Sequence, residues 1–186
     1  SSGGYSGVSS NFGIYSIDQG KLDDGVSKVV QGRSGFVAIK ENGSAIFWGQ
    51  KDKGNPYLAV HSKLQSGVLE VATTEQAYAA LKNDGSVVVW GNKGFGGDSS
   101  SIETLLTSNV SEIVSDGYGT FAAIKNNDTI VTWGVYDKGP SEANSTSIVL
   151  SNAIDIDLRN KEFLKTDGKV YSLTTGDESN AYDKPI

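Results

Sequence analysis

The chain carries one histidine, His61, and no cysteine. A catalytic zinc or a Ser-His-Asp triad needs a second ligand or base converging on the first, and no H-E-x-x-H spacing supplies one. Without thiols, disulfides, thiolate metal sites and cysteine nucleophiles are excluded together. Asp155 and Asp157 alternate along one run, so on a strand both carboxylates project from the same face. Such a pair does acid–base or cation chemistry only if a partner converges on it, and is otherwise a solvated edge. The glycine-rich stretch Gly94-Phe95-Gly96-Gly97-Asp98 lacks the Gly-Lys-Ser/Thr ending of a phosphate loop and reads as a turn. The sequence therefore predicts no enzyme, no cofactor and no metal. What remains is recognition chemistry. Tyr57, Phe95 and Tyr136 stand near the starts of three long polar segments, Gly54 to Gly67, Gly94 to Asn109 and Gly139 to Asn152. Rigid aromatics of this kind anchor protein and sugar interfaces. The competing reading is that they plug gaps between structural units.

The elements that must position these residues are legible because one pattern recurs four times. Gly35 to Gly49, Ala77 to Gly91, Thr120 to Gly134 and Lys161 to Thr174 align on Lys40, Lys82, Lys125 and Lys165, at a spacing of about 42 residues. That period marks solenoids, propellers and arrays, in which each unit buries its apolar face only against a neighbour. Within each copy, Asn42-Gly43, Asp84-Gly85, Asn127-Asp128 and Asp167-Gly168 separate two apolar runs. These residue types tolerate positive φ and predict a two-residue hairpin turn. The run before each of the first three turns, Phe36-Val37-Ala38-Ile39, Tyr78-Ala79-Ala80-Leu81 and Phe121-Ala122-Ala123-Ile124, is almost continuously apolar and so predicts a strand covered on both faces. A further short strand is predicted before each hairpin, at Val26 to Val30, Val68 to Ala72, Val110 to Val114 and Ile154 to Leu158, making three strands per unit. Trp48, Trp90 and Trp133, with Leu173 in the fourth copy, share one register and read as periodic core beside a glycine that lets the chain turn away. The connecting segments carry short apolar stretches predicted as helical turns.

The whole chain, 1–186, is read as one repeat domain, with units at 26–67, 68–109, 110–152 and 153–186. Residues 1–25 read as the end of a preceding unit and its connector, since Gly7 precedes Gly49 by one period. The 23 glycines and 37% hydrophobic residues suit a turn-rich globular domain. The formal charge of −6, with scattered lysines, counts against nucleic-acid partners. No run is apolar enough for membrane insertion. The absence of methionine reads as a processed or excised segment, and the absence of cysteine suits an exported, extracellular or cell-surface setting. The sequons at Asn42, Asn109, Asn127 and Asn144 follow from turn composition.

The apolar strand ending in Ala-Ala/Ile-Leu/Ile-Lys, the turn, the β-branched strand and Trp-Gly together resemble the repeats of the regulator-of-chromosome-condensation superfamily of β-propellers, over roughly Val26 to Leu173. Ser66 to Gly91 is similar to the three-stranded blades of secreted β-lactamase-inhibitory propellers, and Gly91 to Val114 to repeats of bacterial invasin-type surface adhesins. The resemblance implies an all-β, propeller-like arrangement of about four three-stranded antiparallel units, an incomplete ring that further repeats or a second chain would complete. The alternative frames are a β-trefoil or an open β-solenoid. Where the superfamily carries His before its Ala-Leu strand, this chain has Phe36, Tyr78 or Phe121, so nucleotide exchange and chromatin binding are not carried over. The expected function is recognition of a host or surface protein or glycan through inter-unit loops, as in adhesion. The alternatives are a structural spacer and a propeller-type enzyme inhibitor.

Overall fold

The computed structural model describes residues 22, 25–49, 56–135 and 145–173. Unit 1 is a three-stranded antiparallel sheet of β1 (Val26–Gln31), β2 (Gly35–Lys40) and β3 (Ala45–Gly49). Unit 2 repeats it with β4 (Val68–Thr73), β5 (Ala77–Lys82) and β6 (Val87–Gly91), and unit 3 with β7 (Val110–Ser115), β8 (Thr120–Lys125) and β9 (Thr129–Val135). Unit 4 holds β11 (Ala153–Asp157), β12 (Glu162–Lys165) and β13 (Val170–Ser172). Lys40, Lys82, Lys125 and Lys165 each end the middle strand. Four equivalent hairpins in consecutive sheets overturn the trefoil alternative, which needs three.

Two details depart from expectation. The hairpin loops hold three residues rather than two: Gly43 N–H donates to the Lys40 carbonyl at 2.8 Å while Lys40 N–H donates to that of Ser44 at 2.8 Å. This is a type I turn closed by one left-handed residue, so only Gly43, Gly85, Asp128 or Gly168 takes a positive φ. A single such position is why Asp128, at φ 55°, stands in for glycine. The second departure is in unit 3, which gains a fourth strand, β10 (Ser145–Ser151), paired along β9. The first two connectors do form short helices, α1 (Pro56–Val60) with a 3₁₀ turn at His61–Leu64, and 3₁₀ turns at Lys93–Phe95 and Ser100–Leu106. Ser-Thr-Ser-Ile-Val-Leu-Ser instead carries β-branched Thr146, Ile148 and Val149, which favour pairing with a free sheet edge over a helical turn.

The middle strands β5 and β8 are sandwiched, as their unbroken apolar runs require, whereas β2 and β12 are covered chiefly on the face toward units 2 and 3. Val37, Ile39, Ala45 and Phe47 of unit 1 pack on Val71, Tyr78, Ala80, Val88 and Trp90 of unit 2. Ala79 and Leu81, on the opposite face of β5, pack on Ile113, Phe121, Ala123 and Trp133 of unit 3. Ala122, Ile124 and Ile130 then meet Ile156, Phe163, Tyr171 and Leu173 of unit 4. Every unit thus has a leading face toward its predecessor and a trailing face toward its successor. No cluster among the described residues joins unit 4 back to unit 1.

Backbone bonds lock this order. The first-strand amides of Val68, Val110 and Ala153 donate across to the turn carbonyls of Gly43, Gly85 and Asp128, at 2.8, 3.0 and 2.9 Å. The middle-strand lysines hold the connectors: Lys82 Nζ donates to the Lys63 carbonyl at 2.7 Å and Lys125 Nζ to that of Leu105 at 2.6 Å.

Candidate recognition surface

The connectors that carry the sequence-predicted anchors are largely core material. Tyr57, on α1, is 9% exposed and packs against Phe47 and Trp90, with its hydroxyl 3.4 Å from the Ala45 carbonyl. Burial raises its phenol pKa above the usual value, partly offset by a backbone hydrogen bond. Phe95 is half-buried against the cluster between units 2 and 3, and its carbonyl accepts from Thr74 Oγ1 at 2.7 Å. Both aromatics therefore fill gaps between units, because each connector crosses the space its two sheets leave open. Tyr136 and Asn144 lie outside the described residues. His61 is half-buried beside Tyr57 and Gln65. Asp155 and Asp157 are exposed, and Asp157 is turned back on the amides of Arg159 and Asn160 at 3.0 Å each. Its pKa is lowered chiefly by the Asn160 amide. No group of three His, Cys, Asp or Glu side chains able to hold a metal occurs among the described residues.

The core residues follow the pattern with one exception. Trp90 and Trp133 are buried, as is Leu173. Trp133 Nε1 donates to the Gly96 carbonyl at 3.1 Å. Trp48 is half-buried and stacks on Phe36, which is 37% exposed.

The residues that present chemistry to solvent sit elsewhere, in the turns between the first and second strand of each unit. Strand pairing places all four turns at the same end of their sheets: Gly32-Arg33-Ser34, Thr74-Glu75-Gln76, Asp116 to Gly119, and Leu158 to Lys161. The first three are bonded into a connected rim. Arg33 pairs with Glu75 of the next unit, the Glu75 amide donates to the Tyr118 carbonyl at 3.2 Å, and Ser115 Oγ donates to the Thr73 carbonyl at 2.7 Å. Tyr118 is 70% exposed yet firmly held. Asp116 Oδ1 accepts from the amides of Tyr118, Gly119 and Thr120 at 2.7, 2.9 and 3.0 Å. That arrangement costs a ligand little ordering entropy, because the backbone beneath the ring is already fixed. The sequence reading passed over Tyr118. Its signal was the string Asp-Gly-Tyr-Gly, an aromatic between two glycines after a turn-forming aspartate.

At the opposite end, an open recess of about 530 Å³ lies between the first hairpin turn and unit 2, lined in part by Ser27, Lys40, Glu41, Asn42 and Leu69. Its Asn42 side chain is committed to its own turn. Asn42 Oδ1 accepts from the Ser44 amide and hydroxyl at 2.9 and 2.8 Å.

No family profile and no curated protein matches the sequence. Solved structures do match. Human WBSCR16 is 14% identical, with a TM-score of 0.50 over 80% of this chain and 47% of that one. Saccharomyces cerevisiae Prp20p, whose structure was reported with its binding to Gsp1p and histones, is 16% identical, with a TM-score of 0.49 over 78% of this chain and 42% of that one. Yeast RCC1 (Prp20) bound to Kap60 is 17% identical, with a TM-score of 0.47 over 78% and 41%. The chain spans less than half the length of these structures, and at such identities the likeness is one of fold: four consecutive sheets of a β-propeller-like arrangement whose ring is not closed among the described residues.

Proposed function

We propose that this chain is a non-catalytic protein-recognition module that binds through the rim of first turns, with Tyr118 as its anchor and the Arg33–Glu75 pair beside it. The observation that carries the reading is Tyr118 itself, a large exposed aromatic on a backbone fixed by Asp116. Tyr and Arg are the side chains that most often dominate binding energy at interfaces. The propeller neighbours fit a protein-binding role in general. Placement on a secreted or surface protein, with adhesion to a host protein or glycan, rests on the thiol-free composition and on the sequence resemblance. The test is binding of the labelled chain to host-cell surfaces and to a glycan panel. Tyr118→Ala should keep the melting temperature and lose roughly tenfold or more in affinity, about 1.4 kcal/mol or above. Leu58→Ala, on the exposed side of α1, should change nothing. Unchanged binding by Tyr118→Ala would remove the rim from consideration. A second reading, a rigid spacer in a larger repeat array, is favoured by the uncovered sheet faces at the ends of the described arc.

A further inference from the structure

The two ends of the arc are chemically unlike. On units 2 and 3 the leading face is sealed: Val71, Tyr78, Ala80, Val88 and Trp90 are buried, and so are Ile113, Phe121, Ala123, Val131 and Trp133. The same positions on unit 1 are Val29, Phe36, Ala38, Ile46 and Trp48. Here Ala38 at the centre is buried, but Val29 is 54% exposed, Phe36 is 37% exposed, and Ile46 and Trp48 are half-buried. The unit carries the same apolar face without the same cover. The trailing face of unit 4 keeps Leu164 and Val170 where unit 3 has Ile124 and Ile130, but carries charge beside them. Where unit 3 places Val114 and Ala122, unit 4 places Asp157 and Glu162, paired with each other across β11 and β12. Two carboxylates cannot substitute for Val30 and Val37 against an aromatic face without a large desolvation cost. Head-to-tail docking of a second copy, or closure of unit 4 onto unit 1, is therefore disfavoured.

What does fit is written in the sequence ahead of unit 1. Tyr15, Lys21, Leu22 and Gly25 each precede Tyr57, Lys63, Leu64 and Gly67 by 42 residues. In the connector between units 1 and 2, Tyr57 and Leu64 are core, the Lys63 carbonyl receives Lys82, and Gly67, at φ 71°, accepts from the Asn83 amide at 2.7 Å. Gly25 repeats that last feature, at φ 61° with the Glu41 amide 2.7 Å from its carbonyl. Gly25 thus enters unit 1 as Gly67 enters unit 2, and the sequence ahead of it repeats residues of that connector.

We propose that the leading face of unit 1 is the docking surface for one further unit of this same repeat, joined directly N-terminal through the connector and contributing an apolar trailing face of the Val30, Val37, Ile39, Phe47 type. The contact continues the interface already made three times within the chain and is independent of the rim proposed for recognition.

The experiment supplies that unit. A chain is built in which a copy of residues 26–48, carrying Trp48→Phe in the copy, is fused to Gly7 of residues 7–186. Iodide quenching of tryptophan and thermal melting are then compared with the original chain. In the original, one quenchable component should be present and should disappear in Trp48→Phe. In the extended chain that component should fall severalfold and the melting temperature should rise by roughly 5 °C. An extended chain that folds with Trp48 as quenchable as before overturns the proposal. Three results on the original chain would overturn it without the fusion. One is a loss of melting temperature in Trp48→Lys as large as that in Trp90→Lys, since the face would then already be covered. Another is a rise in Trp48 quenching on deleting residues 1–21, which would make the chain's own N-terminal segment the occupant. The last is protection of Trp48 that grows with protein concentration, which would make it a second copy.

Discussion

Units 1 and 3 present the same aromatic pair in two environments. Phe36 stacks on Trp48 at 5.5 Å and Phe121 on Trp133 at 5.3 Å, with ring planes 20° and 21° apart. Register, strand pairing and ring geometry agree, yet the first pair is half exposed and the second is sealed by Ala79, Leu81, Ile102 and Leu106. The difference teaches that the repeat motif specifies a shape and its neighbour decides what that shape contributes. In a stacked array, stability lives in the interfaces as much as in the units.

The largest expected effect follows from that. Trp133→Ala should cost about 3–5 kcal/mol in chemical denaturation, as a large buried aromatic does. Trp48→Ala should cost about 1 kcal/mol, nearer the range of half-exposed positions. Equal losses would break the comparison by showing that the first pair is as well covered as the third.

The turns sharpen it next. Gly85 and Gly168 share nearly the same left-handed conformation, φ 75° and 80°, so alanine strains either by about 1–2 kcal/mol. A Cβ at Gly85 would also sit 2.8 Å from the Asn109 amide nitrogen, where unit 3 closes onto the turn, whereas at Gly168 it meets nothing within 4 Å. Gly85→Ala should therefore destabilise clearly more than Gly168→Ala, by roughly another 1–3 kcal/mol. Equal midpoints would mean the unit-to-unit contact yields freely.

A smaller contrast separates two buried tryptophans. Trp133 Nε1 donates to Gly96, while Trp90 Nε1 is buried with no partner among the described residues. Replacement by Phe removes a hydrogen bond at Trp133 and an unpaired donor at Trp90. Trp133→Phe should be the more destabilising by about 1 kcal/mol, and thermal melts of the two variants compare them directly.

The smallest effect is acidic. Asp84 is held below its ordinary pKa of 3.8 first by the Ser86 hydroxyl and then by the Ser86 amide, and Asp98 first by the Ser100 amide. A carboxylate with a depressed folded-state pKa contributes its stability above the unfolded value and loses it as pH falls through the folded one. Stability should thus decline below about pH 4. Asp84→Asn should flatten that decline slightly, since Asn42 makes the equivalent turn in unit 1 without a charge. An unchanged acid limb would show that the turn carboxylate contributes nothing to folding.

The binding anchors show where sequence reading stops. Tyr57 and Phe95 stood in polar segments and looked available, but a connector that crosses the gap between two sheets puts its largest apolar side chains into that gap. Nothing within the connector records how wide the gap is. Tyr118 was passed over for the converse reason. Its string is short and outside the long loops, and only strand pairing shows that four such turns meet at one end. The fourth strand of unit 3 was not read from the sequence, because the short run Ile148-Val149-Leu150 looked like a helical turn and only the free edge of β9 makes it a strand.

By itself the sequence determined the number of units, the positions of their twelve predicted strands, the residues that supply a left-handed turn position and the two-sided burial of β5 and β8. These are local properties. Period, turn chemistry and unbroken apolar runs act over a few residues, and each copy repeats them. The tertiary structure alone decided which copy of the aromatic pair is covered, which glycine is crowded and which aromatic faces solvent. Those outcomes depend on what the neighbouring unit places across the interface, and two copies of one motif with different neighbours bury different areas.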